Sequence, residues 1–144
     1  MLVLNREDWQ TIIKHALAGW PNEACGLLAG EVEGEHKKVR QVYLLTNLDQ
    51  SPEHFSMDPV EQFAAVREMR RHGWVMLGNF HSHPASPARP SAEDMRLAFD
   101  PAMSYVIVSL QAKEKPIAKS FRIKDGTAAE EVLLIRDNDD EEAG

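Results

Sequence analysis

A chain of 144 residues, 43% hydrophobic and 27% charged, suits one domain built on a single core. Its net charge of −7 argues against a general nucleic-acid or membrane-surface binder. No apolar run approaches the ~20 residues of a membrane-spanning helix, and the start lacks the basic and apolar segments of a secretory signal. One cysteine, Cys25, excludes an internal disulfide and fits a reducing compartment, so a cytoplasmic location is expected.

In chain order, residues 2–4 predict a short strand. Asn5 then caps a helix over 6–19, with Asp8 in the first turn favouring the positive end of the dipole. Trp9, Ile12, Ile13, Ala16 and Leu17 follow helical spacing and predict one buried stripe, which Gly19 and Pro21 end. His15 lies off the middle of that stripe and reads as a packing or surface residue. The apolar run from Cys25 to Gly30 predicts a strand, Glu33-Gly34-Glu35 a turn, and Val39 to Thr46 the return strand. Residues 47–57 form a polar loop of a length that is often functional. Asp58-Pro59-Val60-Glu61 opens a second helix with a capping aspartate, a proline at its first position and a glutamate placed for a capping box. That helix is expected to run to about His72, where Gly73 stops it, and to turn Val60, Phe63, Ala64, Val66 and Met69 inward.

Trp74 to His81 is apolar enough for a central strand buried on both faces. A proline-rich loop over 84–90, a short helix over 91–99 and a second central strand, Tyr105 to Leu110, follow. Lys119 to Ile123 and Glu131 to Ile135 complete the strands, with Gly126 turning between them. Helices alternate with strands, but several strand pairs are joined by short turns. The expected class is therefore α/β, a mixed central sheet flanked by helices. Residues 1–136 are expected as one domain, and 137–144 as an acidic, solvated, poorly ordered tail.

The chemistry concentrates in Gly78-Asn79-Phe80-His81-Ser82-His83-Pro84 and Pro90-Ser91-Ala92-Glu93-Asp94. Residues i and i+2 of a strand point to one side, so His81 and His83 can present two imidazoles to one metal ion. Asp94, in the first turn of the next helix, can add a carboxylate. Two histidines, one aspartate and a water satisfy tetrahedral zinc in its catalytic form. Ser91-x-x-Asp94 is also a helix-capping pattern, and capping and catalysis do not exclude each other. A thiol nucleophile at Cys25 is conceivable beside Glu23, but the start of an apolar run favours core packing. No metal role is assigned to His36, His54 or His72, although His54 lies in a loop that can touch substrate.

Glu23 followed by His81-Ser82-His83-Pro84, six residues, and Pro90-Ser91-Ala92-Glu93-Asp94 resembles the JAMM (MPN+) metalloprotease motif at every defining position. Pro21-Asn22-Glu23-Ala24-Cys25-Gly26-Leu27-Leu28-Ala29-Gly30 is similar to the small stand-alone prokaryotic branch, and the likeness spans about 2–135. The resemblance implies a JAMM/MPN fold, cytidine-deaminase-like, with one zinc per chain held by His81, His83 and Asp94. It implies Glu23 as the general base for the zinc-bound water and Ser91 as the donor to the oxyanion. It further implies hydrolysis of a peptide or isopeptide bond after the C-terminal Gly-Gly of a ubiquitin-like or sulfur-carrier protein. The bond type and the oligomeric state, a homodimer included, stay open. A non-catalytic MPN-type scaffold is the alternative, but such members are degenerate at the ligands and this chain is intact. Zinc deamination needs paired cysteine ligands that one cysteine cannot supply.

Overall fold

Strand β1 (Leu2–Asn5) runs directly into helix α1 (Arg6–Gly19), because the Asn5 side chain accepts the Asp8 N–H at 2.7 Å and caps it. The computed structural model describes residues 1–137, so all of the expected acidic tail except Asp137 lies outside the described residues. A hairpin of β2 (Cys25–Glu33) and β3 (His36–Leu45) follows, then α2 (Pro59–Arg71), β4 (Val75–His83), α3 (Ala92–Leu97) and β5 (Ser104–Ser109). The chain closes with β6 (Ile117–Lys124), β7 (Thr127–Glu131) and β8 (Leu133–Arg136).

The strands form one eight-stranded sheet in the order β7-β6-β5-β4-β2-β3-β1-β8. It is mixed: β1 runs parallel to β3 and β8, β4 runs parallel to β5, and the remaining pairs are antiparallel. The mixed α/β expectation therefore holds. The predicted strand over 131–135 is instead two strands at opposite edges. Thr127–Glu131 returns against β6 through Asp125 and Gly126, both at positive φ, while Leu133–Arg136 pairs with β1. The polar run Thr-Ala-Ala-Glu-Glu gives no apolar alternation, which hides β7 in the sequence. One residue, Val132, joins the two edges, and its carbonyl accepts the Leu2 N–H at 2.9 Å; the sheet is bent enough for them to converge there.

Helix α1 packs Ile12 and Ala16 against Leu2, Leu4, Leu28, Phe80 and Val106 on one face of the sheet. Gly26 is required here, since a Cβ would fall 2.1 Å from the Phe80 ring. Leu17 lies outside the stripe expected of it, at 39% exposure. On the other face, α2 packs Ala65 and Met69 against Cys25, Leu27 and Ala29. The inward set predicted for α2 is corrected: Val60 and Phe63 are 76% and 66% exposed, and Ala64 is exposed too. Apolar residues surround this helix, so its phase is ambiguous in sequence. Ala65 and Met69, four apart, face the sheet and leave Phe63 on the far side.

Candidate active site

Strand β4 ends in His81-Ser82-His83, so alternation sends both imidazoles to the α2–α3 face and Ser82 to the other. The ring nitrogens His81 Nε2 and His83 Nε2 lie 3.1 Å apart, and Asp94 Oδ2 lies 3.2 and 3.1 Å from them. This triangle fits a metal. Ligands at 2.0–2.1 Å in tetrahedral geometry are separated by about 3.3 Å. Two nitrogens and one carboxylate oxygen are also a zinc-type donor set. One outer atom supports the fit: His83 Nδ1 stands 2.9 Å from the Pro87 carbonyl, which fixes Nε2 toward the site. Phe55 stacks on the His81 ring at 4.8 Å, while His81 Nδ1 is buried without a partner.

Ser91 places Asp94. Its hydroxyl accepts the Asp94 N–H at 3.0 Å, and its own N–H donates to Asp94 Oδ2 at 2.9 Å, a capping box that orients the carboxylate toward the histidines. A hydroxyl that accepts through a lone pair keeps its proton to donate elsewhere. Burial opposes ionisation of Asp94, but hydrogen bonds from His81 and His83, the His81 charge and the Ser91 N–H hold its carboxyl well below the usual carboxylate range. Burial likewise pushes His81 down. In His83 the same burial is outweighed by hydrogen bonds to Asp94 and Pro87, and its pKa is raised.

The residues 58 positions earlier arrive by strand pairing. Cys25 pairs with His81, which brings Ala24 opposite Ser82. Ala24 N–H donates to Ser82 Oγ at 2.8 Å and Ser82 N–H to the Ala24 carbonyl at 2.9 Å. Glu23, one residue before, is 5% exposed and lines a cleft of about 470 Å³ with His83 and Ser91. Pro52, Glu53 and His54 wall that cleft from the 47–57 loop. Burial pushes the Glu23 carboxyl up to about 8; His83 opposes this, and Asp94, Glu93 and Glu53 add to it. A carboxyl poised there changes protonation near neutral pH, the range in which proton transfer is most effective. Its Oε1 is buried and has no hydrogen-bond partner among the described residues.

Cys25 is fully buried and its thiol is pushed up to about 12, first by burial, so core packing is the reading that stands. The remaining histidines lie apart from the triangle. His15 Nε2 faces the carbonyls of Cys25 and Leu45, His72 stacks on Trp74, and His36 is exposed in the β2–β3 hairpin. His54 lines the cleft with Nδ1 3.2 Å from Asp49 Oδ2. Sequence reasoning missed Phe55, the Pro87 carbonyl and Asn47. The second is a main-chain group that no residue type encodes, and the others sit in a loop with no periodic pattern.

A sequence model of the prokaryotic homologs of the JAB domain matches residues 6–124. The chain belongs to the JAB family. Among its relatives, the CysO-cysteine peptidase of Mycobacterium tuberculosis is 36% identical over 135 residues, covering 94% of this JAB chain and 91% of the relative. The desampylase of Pyrococcus furiosus is 29% identical over 113 residues, 78% and 75% of the two chains. The solution structure of a Desulfitobacterium hafniense protein superposes with a TM-score of 0.89 at 56% identity, covering 96% and 94%. A JAB1/MPN domain protein from Archaeoglobus fulgidus, 23% identical, shares the fold at a TM-score of 0.62 over 95% and 100%. With peptidase and desampylase relatives over most of its length, this JAB protein is a hydrolase.

Proposed function

We propose that this chain is a zinc peptidase or isopeptidase that cleaves the amide bond after the C-terminal Gly-Gly of a ubiquitin-like or sulfur-carrier protein. The observation that carries the reading is the meeting of a buried Glu23 and Ser91 in one cleft with His83, beside the His81–His83–Asp94 triangle. The names of the relatives, a CysO-cysteine peptidase and a desampylase, support the substrate class.

His81, His83 and Asp94 would hold the zinc, which would supply Lewis acidity and lower the pKa of water. Glu23 takes the proton from the attacking water and returns it to the leaving amine; its raised pKa suits both halves of that transfer. Ser91 donates a hydrogen bond from its hydroxyl to the developing oxyanion, since its oxygen accepts the Asp94 N–H and its O–H stays free to donate. A Gly-Gly tail has no side chains to clash, so it can lie extended in the cleft, walled by loops 47–57 and 84–90.

The test incubates zinc-loaded protein with Gly-Gly-tailed carrier proteins bearing either C-terminal extensions or lysine-linked conjugates, followed by mass spectrometry. Release after Gly-Gly, stopped by a chelator and restored by zinc, is expected. Intact carriers from a fully zinc-loaded protein would overturn the reading and favour a non-catalytic scaffold.

A further inference from the structure

Strand β2 begins at Cys25, so Glu23 sits outside the regular pairing of the sheet. On its carboxylate, Oε1 has no hydrogen-bond partner among the described residues. What fixes Glu23 is its main chain, and both polar groups of that main chain end on the 47–57 loop. The Glu23 N–H donates to the Ser51 carbonyl at 2.8 Å, and the Glu23 carbonyl accepts from Asn47 Nδ2 at 2.9 Å.

The Asn47 amide uses its whole hydrogen-bonding capacity on this task. Nδ2 also donates to the His54 carbonyl at 3.1 Å, and Oδ1 accepts the N–H groups of Asp49 at 3.0 Å and Ser56 at 3.1 Å. One side chain therefore shapes the loop that lines the cleft and grips the residue whose carboxylate points into it. Ser82, from the metal-binding strand, takes the next N–H, that of Ala24.

We propose that Asn47 is a positioning residue for Glu23, tying the main chain of the base to the wall of the cleft; this rests on the hydrolase reading above. The position of the base then depends on the conformation of the loop that walls the cleft. An amide is needed because the site asks for two donated and two accepted bonds. Asn47→Asp keeps the two accepted bonds that shape the loop but sets an oxygen against the Glu23 and His54 carbonyls. Asn47→Ala removes all four.

The experiment compares wild type, Asn47→Asp, Asn47→Ala, Glu23→Gln and Asn47→Asp/Glu23→Gln, all zinc-loaded, on a Gly-Gly-tailed carrier with a C-terminal extension. Asn47→Asp is expected to lower kcat about 10- to 100-fold, the scale of a misplacement of about 1 Å. Its KM should change less than about threefold, with zinc content unchanged. Added to Glu23→Gln, the same substitution should cost nothing further, because it acts through a base already removed. Asn47→Asp carries the test even where Asn47→Ala does not fold. A readout independent of turnover is the amide NMR spectrum of the metal-free protein. The Glu23 and Ala24 resonances should shift in Asn47→Asp while those of His81 and His83 stay. Wild-type kcat in Asn47→Asp, or losses that multiply in the double variant, would overturn the proposal. If wild type releases nothing, the hydrolase reading fails by itself, and unshifted Glu23 and Ala24 resonances then overturn the positioning role.

Discussion

Lys37 and Glu23 are both ionisable groups withdrawn from water, one near each end of β4, and the protein treats them in opposite ways. The Lys37 ammonium donates to the carbonyls of Leu77 at 3.2 Å and Ala102 at 2.6 Å and to Ser104 Oγ at 2.9 Å, so all three of its protons are placed. Burial still pulls its pKa down, helped by Arg122, but every hydrogen-bonding demand is met. Glu23 is more deeply buried, carries a pKa raised to about 8 and has an oxygen with no partner. A satisfied buried charge holds a fold together; an unsatisfied one in a cleft is a group kept ready for something that arrives from outside.

The largest effect that can break this contrast is on turnover. Glu23→Gln should keep zinc, measured by metal analysis, and lose about 10²- to 10⁴-fold in kcat. Ser91→Ala should cost about 10²- to 10³-fold in kcat by removing an oxyanion donor. It should also cost about 1 kcal/mol of stability from the lost cap, read by denaturant unfolding. Lys37→Met should do the reverse. It strands three acceptors and should cost about 2–3 kcal/mol in denaturant unfolding, yet leave kcat unchanged at a temperature where the variant is folded.

Smaller still is the effect of pH on stability. The folded pKa of Glu23, about 8, lies above its ordinary value of 4.5, so the folded state binds this proton more tightly than the unfolded state. Its contribution is fully present below pH 4.5 and is lost as pH rises through 8. In metal-free protein, Glu23→Gln should match wild type at about pH 4. At pH 8.5, allowing for water that reaches the carboxyl from the cleft, it should melt roughly 3–6 °C higher. The smallest change is expected far from both groups: Phe63→Ser, on the outer side of α2, should shift stability by less than about 0.5 kcal/mol.

Legibility from sequence followed the range of the interactions involved. The His81, His83, Ser91 and Asp94 set lies within fourteen residues, and strand alternation plus a helix cap are enough to bring its atoms together. α1 was readable because Asn5 and a 3.6-residue period agree. Glu23 reaches the cleft through the antiparallel pairing of β2 with β4 and through its main-chain bonds to the 47–57 loop, long-range contacts that no local pattern encodes, so its place rests on likeness to a family. The phase of α2 was misread because Phe63 is apolar yet faces away from the sheet. Asn47 was invisible as anything more than a loop polar residue, since its partners are main-chain groups and the Glu23 carbonyl lies far away in sequence.

The pairing of β1 with β8 has a consequence for how the molecule is made. Leu2, Val3 and Leu4 are almost wholly buried, and one of the two neighbours of their strand is supplied by Leu133 to Arg136. On the ribosome β1 must therefore wait for β8, far behind it in the chain, before its hydrogen bonds are complete. Until then the nascent chain carries an apolar, unpaired β-edge, the kind of surface that recruits other chains. Completion of the sheet should accordingly wait for β8, and deletion of β8 should show itself as aggregation.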